Sequence, residues 1–153
     1  MTVAVGKHIA DFTADSTAGP VALSSFQGRT LVLYFYPKDN TPGCTNQGAD
    51  FRDNHEAFSA AGAAVLGASR DSLKSHDNFK AKLGLPFELL SDPEETLCAL
   101  FEVIRMKSMY GKQVRGIERS TFVIDGQGTL LREWRGVKVP GHVDEVLEYV
   151  RSL

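Results

Sequence analysis

Six consecutive apolar residues, Leu31-Val-Leu-Tyr-Phe-Tyr36, run without interruption into Pro37. A continuous apolar run of this length is what a strand buried on both faces of a parallel sheet requires. A second run, Ala64-Val-Leu-Gly-Ala-Ser69, has the same character. Between the two, residues Cys44 to Ala61 carry Phe51, His55 and Phe58 at helical spacing, with Gly62 placed to stop the helix. Buried strands joined by a helix predict an α/β sheet covered on both faces.

The rest of the chain extends this order. Ser72 caps a helix predicted to run through Leu83, with Gly84 closing it and Pro86 blocking its continuation. Phe87 to Leu90 reads as a third strand. Asp92-Pro93-Glu94-Glu95 reads as a helix start, with Asp92 at the cap, Pro93 in the first turn and Glu95 three residues after the cap. Leu97, Leu100, Phe101 and Ile104 then form its buried stripe. Residues 105–118 show little pattern and are expected to be a loop with short pieces. Ser120 to Asp125 and Thr129 to Arg135 are strands joined by Gly126-Gln127-Gly128, a tight hairpin signal. Val143, Val146, Leu147 and Val150 mark a final amphipathic helix. Upstream, Ile9 to Phe12 and Val21 to Leu23, separated by Gly19-Pro20, suggest small strands or a hairpin. The expectation is one domain over residues 1–153, with a central mixed sheet flanked by helices, an extra strand-helix insertion and an N-terminal hairpin. Without the insertion, the order is that of a thioredoxin-like fold.

Composition narrows what such a domain does. With 42% apolar and 24% charged residues the chain is of ordinary globular type, which removes the disordered and fibrous classes. A formal charge of -2 provides no basic field for nucleic acid. A membrane-spanning helix needs about 20 apolar residues, far more than the longest run here. Met1 to His8 lacks the features of a signal peptide, so a cytoplasmic protein is expected. His8, His55, His76 and His142 are widely separated and lack metal-ligand spacing; surface or helix-packing roles are expected, with no metal and no bound cofactor.

Two cysteines do not make a disulfide scaffold, and in a reducing compartment a cysteine in a distinctive setting is a candidate nucleophile. Cys44 has that setting. In open α/β sheets, sites lie beyond the carboxyl ends of strands, and Cys44 follows the first core strand at or near the first turn of a helix. Unpaired backbone N–H groups and the positive end of the helix dipole favour a thiolate there. Thr41, three residues earlier, brings a hydroxyl that both accepts and donates hydrogen bonds into the same small pocket. Pro42 and Gly43 let the backbone turn tightly and present N–H groups, while Pro37 and Tyr36 are placed to wall the pocket from bulk water.

The pattern Pro37-x-x-x-Thr41-x-x-Cys44, set in Tyr-Phe-Tyr-Pro-Lys-Asp-Asn-Thr-Pro-Gly-Cys-Thr, closely resembles the active-site motif of peroxiredoxins. It looks most like their PrxQ, or bacterioferritin comigratory protein, branch. The likeness extends through Ala64 to Asp71, Leu89 to Pro93, Met109 to Lys112 and Gly116 to Asp125, nearly the whole chain. The resemblance implies that Cys44 is the peroxidatic cysteine, that Thr41 orients the peroxide and that Pro37 shields the intermediate. Arg119 matches the family's arginine facing the thiolate, where a guanidinium can stabilise charge on the departing oxygen. The implied activity is reduction of hydrogen peroxide and organic hydroperoxides through a sulfenic acid on Cys44, which a thiol must return to the reduced state before further oxidation. Thioredoxin, glutaredoxin and a small thiol are the candidate reductants, and a monomer or weak homodimer is expected.

One departure matters. Many relatives carry a resolving cysteine five residues after the peroxidatic one, where this chain has Ala49. Others place it on the following helix, in the stretch matching His76 to Lys82, with Lys80 the nearest alignment. The remaining thiol is Cys98, either a small core residue or a resolving cysteine; the expectation is a one-cysteine mechanism served by an external thiol. Two alternatives stay open. A thiol–disulfide oxidoreductase normally uses Cys-x-x-Cys, but Thr41 takes the first cysteine's place. A thioredoxin-like binding module would dock partners through Met106, Met109 and Tyr110.

Overall fold

The computed structural model describes residues 2–153, with the side chain of Met109 excepted. The two apolar runs become β3 (Thr30–Phe35) and β4 (Ala63–Ser69), which pair in parallel from Thr30↔Ala63 to Phe35↔Ala68. β5 (Leu89–Ser91) adds to β4, also in parallel. On the other side β8 (Ser120–Ile124) and β9 (Leu130–Arg135) join antiparallel. At the far edge β1 (Thr13–Ser16) pairs antiparallel with β5 and with β2 (Val21–Ala22). The resulting seven-stranded sheet has the order β2-β1-β5-β4-β3-β8-β9. The expected N-terminal hairpin is present, but its first strand lies after Ile9 to Phe12.

Side chains alternate across this sheet, so it separates two apolar layers. Leu31, Leu33 and Phe35 face one layer, where they meet Cys98, Phe101 and Phe122. Val32, Tyr34 and Tyr36 face the other, with Cys44, Phe51, Phe58 and Phe79. That second layer is covered by α1 (Pro42–Asp53), α2 (His55–Ala60), α3 (Leu73–Leu83) and α5 (His142–Arg151). The first is closed by α4 (Thr96–Leu100) and the N-terminal segment. Gly67 is required where the layers are tightest: a Cβ there would stand 2.9 Å from both Leu89 Cδ2 and the Tyr34 ring.

Three expectations need correction. The helix predicted over residues 44–61 begins at Pro42 and breaks at Asn54, whose side-chain amide donates to the Asp50 carbonyl at 2.8 Å. The helix expected to start at Asp92 begins only at Thr96. Residues 92–95 form a turn closed by Glu95 N–H to the Asp92 carbonyl, with Glu95 left-handed (φ 63°). The Asp92 carboxylate still caps, but from outside, accepting from the amides of Leu97 (3.1 Å) and Cys98 (2.8 Å). Finally, the segment expected to be a loop is a hairpin, β6 (Ile104–Met109) and β7 (Lys112–Ile117), fully paired from Ile104↔Ile117 to Met109↔Lys112. Its two-residue turn has Tyr110 at φ 53° and Gly111 at φ 76°. Positive φ at both central residues is the turn whose twist matches that of the strands. Ser72 and Gly84 bound α3 as expected, the Ser72 hydroxyl oxygen accepting from Ser75 N–H and Gly84 lying at φ 64°.

Candidate active site

Pro42 occupies the first position of α1, where its missing N–H costs nothing and its fixed φ suits a helix. Thr41 is therefore the N-cap and Cys44 the third helical residue, among the N–H groups that no helical carbonyl satisfies. The Thr41 hydroxyl does not cap: it donates to the Lys38 carbonyl at 2.8 Å. Its proton is thus committed and its lone pairs are left to accept, which narrows the donor-and-acceptor role expected from the sequence to acceptance alone.

Cys44 is buried, 2% exposed, on the helical side of the sheet. Arg119, in the short link between β7 and β8, reaches it with Nη2 3.5 Å from Sγ. The same guanidinium donates through Nη1 to Gln47 Oε1 at 2.5 Å. Gln47 lies three residues after Cys44 and so on the same face of α1. It is fully buried, and its Nε2 has no hydrogen-bond partner among the described residues. Gly43 explains how the arginine comes so near: a Cβ there would stand 3.1 Å from Arg119 Nη2. The structure thus brings together Thr41, Gly43, Cys44 and Arg119 and adds Gln47. The i, i+3 spacing from Cys44 is the signal that could have found this residue.

Lys107 on β6 is a second addition. It donates to the Ile117 carbonyl, and burial, then the charge of Arg119, lower its pKa, against the opposing charges of Glu118 and Cys44. Two cations therefore lie within charge range of the sulfur. Nothing in the sequence pointed to Lys107, because the hairpin that carries it was not expected.

Pro37, two residues beyond the end of β3, is half-buried. Tyr36 follows β3 directly and is buried. Its ring lies in the helical-side core, in the same cluster as Cys44, and its hydroxyl donates to Asp39 at 2.6 Å, which anchors the loop. Burial pushes its phenol far up. Cys98 lies in the opposite apolar layer, with the sheet between it and Cys44. Its side chain is 0% exposed; burial first, and then the neighbouring Asp92 carboxylate, push its thiol well up. Both cysteines are free. Of the surface expected for partner docking, Met106 and Tyr110 are exposed on the hairpin, and the Met109 side chain lies outside the described residues.

His76 also departs from expectation, being fully buried in a polar cluster with Asp39. Ligand atoms of Asp39, Asp71 and His76 lie within 4.8 Å of one another, as a metal site would require. Each is already committed to hydrogen bonds with protein groups, including the Asp39 amide on Asp71 Oδ2 and the Leu90 carbonyl on His76 Nε2. A cleft of about 190 Å³ lined by His8, Ile9, Leu23 and Phe26 lies at the N-terminal segment, away from Cys44. Among the described residues no helix is long and apolar enough to cross a membrane.

A buried cysteine at a helix start, with a guanidinium on its sulfur and an accepting hydroxyl at the cap, is equipped to attack an electrophilic oxygen. Residues 5–132 match the AhpC/TSA family model. Peroxiredoxin Bcp of Xanthomonas campestris is 55% identical over 130 residues, which are 85% of this chain and 81% of that protein. Peroxiredoxin Bcp of Bacillus subtilis is 47% identical over 154 residues, spanning 100% of this chain and 98% of its own. The chain belongs to the AhpC/TSA family, in its peroxiredoxin Bcp/PrxQ branch. As a peroxiredoxin it is a thiol-dependent peroxidase. Its fold is the thioredoxin-like one expected: a cysteine mutant of Xylella fastidiosa PrxQ superposes with a TM-score of 0.94 at 43% identity, covering 99% of this chain and 98% of that one. A structure of the Xanthomonas campestris bacterioferritin comigratory protein, described for its alkyl peroxide reduction activity, superposes with a TM-score of 0.87 at 51% identity, covering 92% and 90%.

Proposed function

We propose that this peroxiredoxin works with one cysteine, Cys44, and hands its oxidised product to an external thiol. The observation that carries the reading is the separation of the thiols: Cys44 and Cys98 pack in different layers of the molecule, with the sheet between them. A disulfide needs Cβ atoms about 4 Å apart, so joining the two would require dismantling the sheet. The raised Cys98 thiol pKa also makes it a poor attacking group. No other cysteine exists in the chain, and residues 49 and 80 are alanine and lysine. Lys80 is itself tied into an ion pair with Glu88.

In the reaction, a hydroperoxide enters beside Thr41, whose oxygen accepts the O–H hydrogen bond. The Cys44 thiolate attacks the terminal oxygen and forms an S–O bond as the O–O bond breaks. The departing hydroxide or alkoxide takes up a proton and leaves as water or alcohol, and the sulfur becomes a sulfenic acid. Arg119 holds both the thiolate and the charge growing on the leaving oxygen; a preorganised donor of this kind contributes about 3 kcal/mol. Pro37 covers the sulfenic acid. An external thiol then attacks that sulfur, water leaves, and a second thiol completes the reduction. Hydrogen peroxide and organic hydroperoxides are the substrates proposed; the alkyl peroxide activity described for the Xanthomonas campestris relative supports the latter. Thioredoxin, glutaredoxin or a small thiol is the reductant class.

Intact-mass analysis after one equivalent of peroxide tests this reading. The expected product gains one oxygen on Cys44 and is trapped by a sulfenic-acid reagent; a loss of two hydrogens, mapping to a Cys44–Cys98 disulfide, refutes it. Cys44→Ser is expected to abolish peroxide consumption.

A further inference from the structure

The loop that delivers Thr41 and Cys44 is fastened to the body of the protein through one buried side chain, Asp39. Its Oδ1 accepts from the Tyr36 hydroxyl at 2.6 Å; its Oδ2 accepts from the Ser75 hydroxyl at 2.8 Å and lies 2.8 Å from His76 Nδ1. Its amide donates to Asp71 Oδ2 at 2.9 Å. His76, fully buried on α3, places its other ring nitrogen, Nε2, 2.9 Å from the Leu90 carbonyl on β5.

The protonation of this ring follows from its partners. A carbonyl only accepts, so Nε2 carries a proton. Asp39 already accepts from two hydroxyls, and an ionised carboxylate also only accepts, so Nδ1 carries a proton as well. Burial raises the Asp39 pKa, but the hydrogen bonds from His76 and Tyr36 outweigh burial and hold it below its ordinary value. The groups facing the ring from the packed elements are Tyr36 just after β3, Asp39 on the loop, Ser69 at the end of β4 and Asp71 just beyond it. Two carboxylates, Asp39 and Asp71, therefore face the imidazole. A neutral ring would leave a buried carboxylate without its counter-charge, which is costly.

Resting on the assignment of Cys44 as the attacking residue, we propose that His76 is a positioning residue of the peroxidase. Protonated on both ring nitrogens, it clamps Asp39 to β5 and so fixes the 37–41 loop that sets Thr41 and Cys44 against the peroxide. Asp39 stands two residues before the N-cap and five before the sulfur, so play at Asp39 becomes play at the reacting atoms. Small displacements of this kind are expensive, since misplacing reacting groups by about 1 Å can cost on the order of a hundredfold in rate.

Nitrogen-15 NMR of the wild-type histidine rings, together with the kinetics of Asp39→Asn, His76→Gln and the double variant, tests the proposal. At neutral pH both His76 ring nitrogens are expected to show the protonated signature. Each single variant is expected to lower the second-order rate with hydrogen peroxide per folded molecule about tenfold, for a loop loosened without being lost. Because the two residues act as one unit, the double variant is expected to fall within about twofold of the worse single. Alkylation of Cys44 by iodoacetamide needs no peroxide held at Thr41 and is expected to change far less than the peroxide rate. An unprotonated ring nitrogen in the wild type overturns the proposal, as does an unchanged peroxide rate in variants that are folded but less stable. If no variant folds, the ring-nitrogen result on the wild type decides alone. Cys44→Ser keeps the two readings apart: peroxide consumption surviving in that variant removes Cys44 from the chemistry and leaves the ring-nitrogen result standing.

Discussion

Gly43→Ala separates stability from activity in this site. The residue is the second of α1, at a backbone conformation open to any amino acid, and alanine is a better helix former than glycine by up to about 1 kcal/mol. On local grounds the variant is stabilised. Its new Cβ, however, stands 3.1 Å from Arg119 Nη2, a few tenths of an ångström too close. The guanidinium cannot retreat freely, because Gln47 holds its other nitrogen at 2.5 Å. Pushing Nη2 from its 3.5 Å contact with Cys44 out to about 4 Å weakens the charge interaction by roughly 0.6 kcal/mol at an effective dielectric of about 20. That alone is a factor of about 3, and loss of the directed N–H···S contact takes the expected fall in second-order rate with peroxide to about three- to tenfold. Chemical denaturation and a peroxide-consumption assay on the same preparation measure both sides. A variant that is equally or more stable yet several-fold slower is the expected result. A rate within 1.5-fold of wild type (about 0.2 kcal/mol) in a folded protein would refute the claim that the approach of Arg119 to the sulfur matters.

Replacing the guanidinium itself, Arg119→Lys, keeps the charge but loses the fork that holds Gln47 and Cys44 together; peroxide consumption is expected to fall about a hundredfold. Cys98→Ala is expected to destabilise the protein by about 1 kcal/mol in denaturant melts, as a small buried truncation does, and to leave turnover with an external thiol within twofold. Glu95 is held at a pKa of about 2, chiefly by Arg115 and also by Arg70. Its folded pKa is depressed, so its contribution to stability is complete above about 4.5 and is lost as pH falls toward 2; Glu95→Gln is expected to flatten that acid limb in urea titrations.

What the sequence disclosed follows from how local each signal is. The buried strands, the Ser72 cap and the Cys44 helix start each depend on a few neighbouring residues and were legible. Residues 104–117 were not, because most of β7 is exposed and offers no apolar alternation. Their turn also uses Tyr110 before Gly111 where asparagine or aspartate is usual. Asp92 looked like an N-cap and does accept helical amides, but across a turn that moves the helix start to Thr96. In the site, Cys44 and Thr41 could be found from spacing and Arg119 from resemblance. The bond from the Tyr36 hydroxyl to Asp39 was not legible, and the partnership of Asp39 with His76 joins residues 37 positions apart.

The sheet is a partition between the two sulfurs. In the one-cysteine cycle proposed above, the lifetime of the oxidised state is governed by whatever donor the surroundings supply. When that donor runs short, such a cycle makes the chain a one-shot scavenger. Converting it to internal recycling would mean adding a thiol on the α1 and α3 side of the partition, leaving residue 98 untouched.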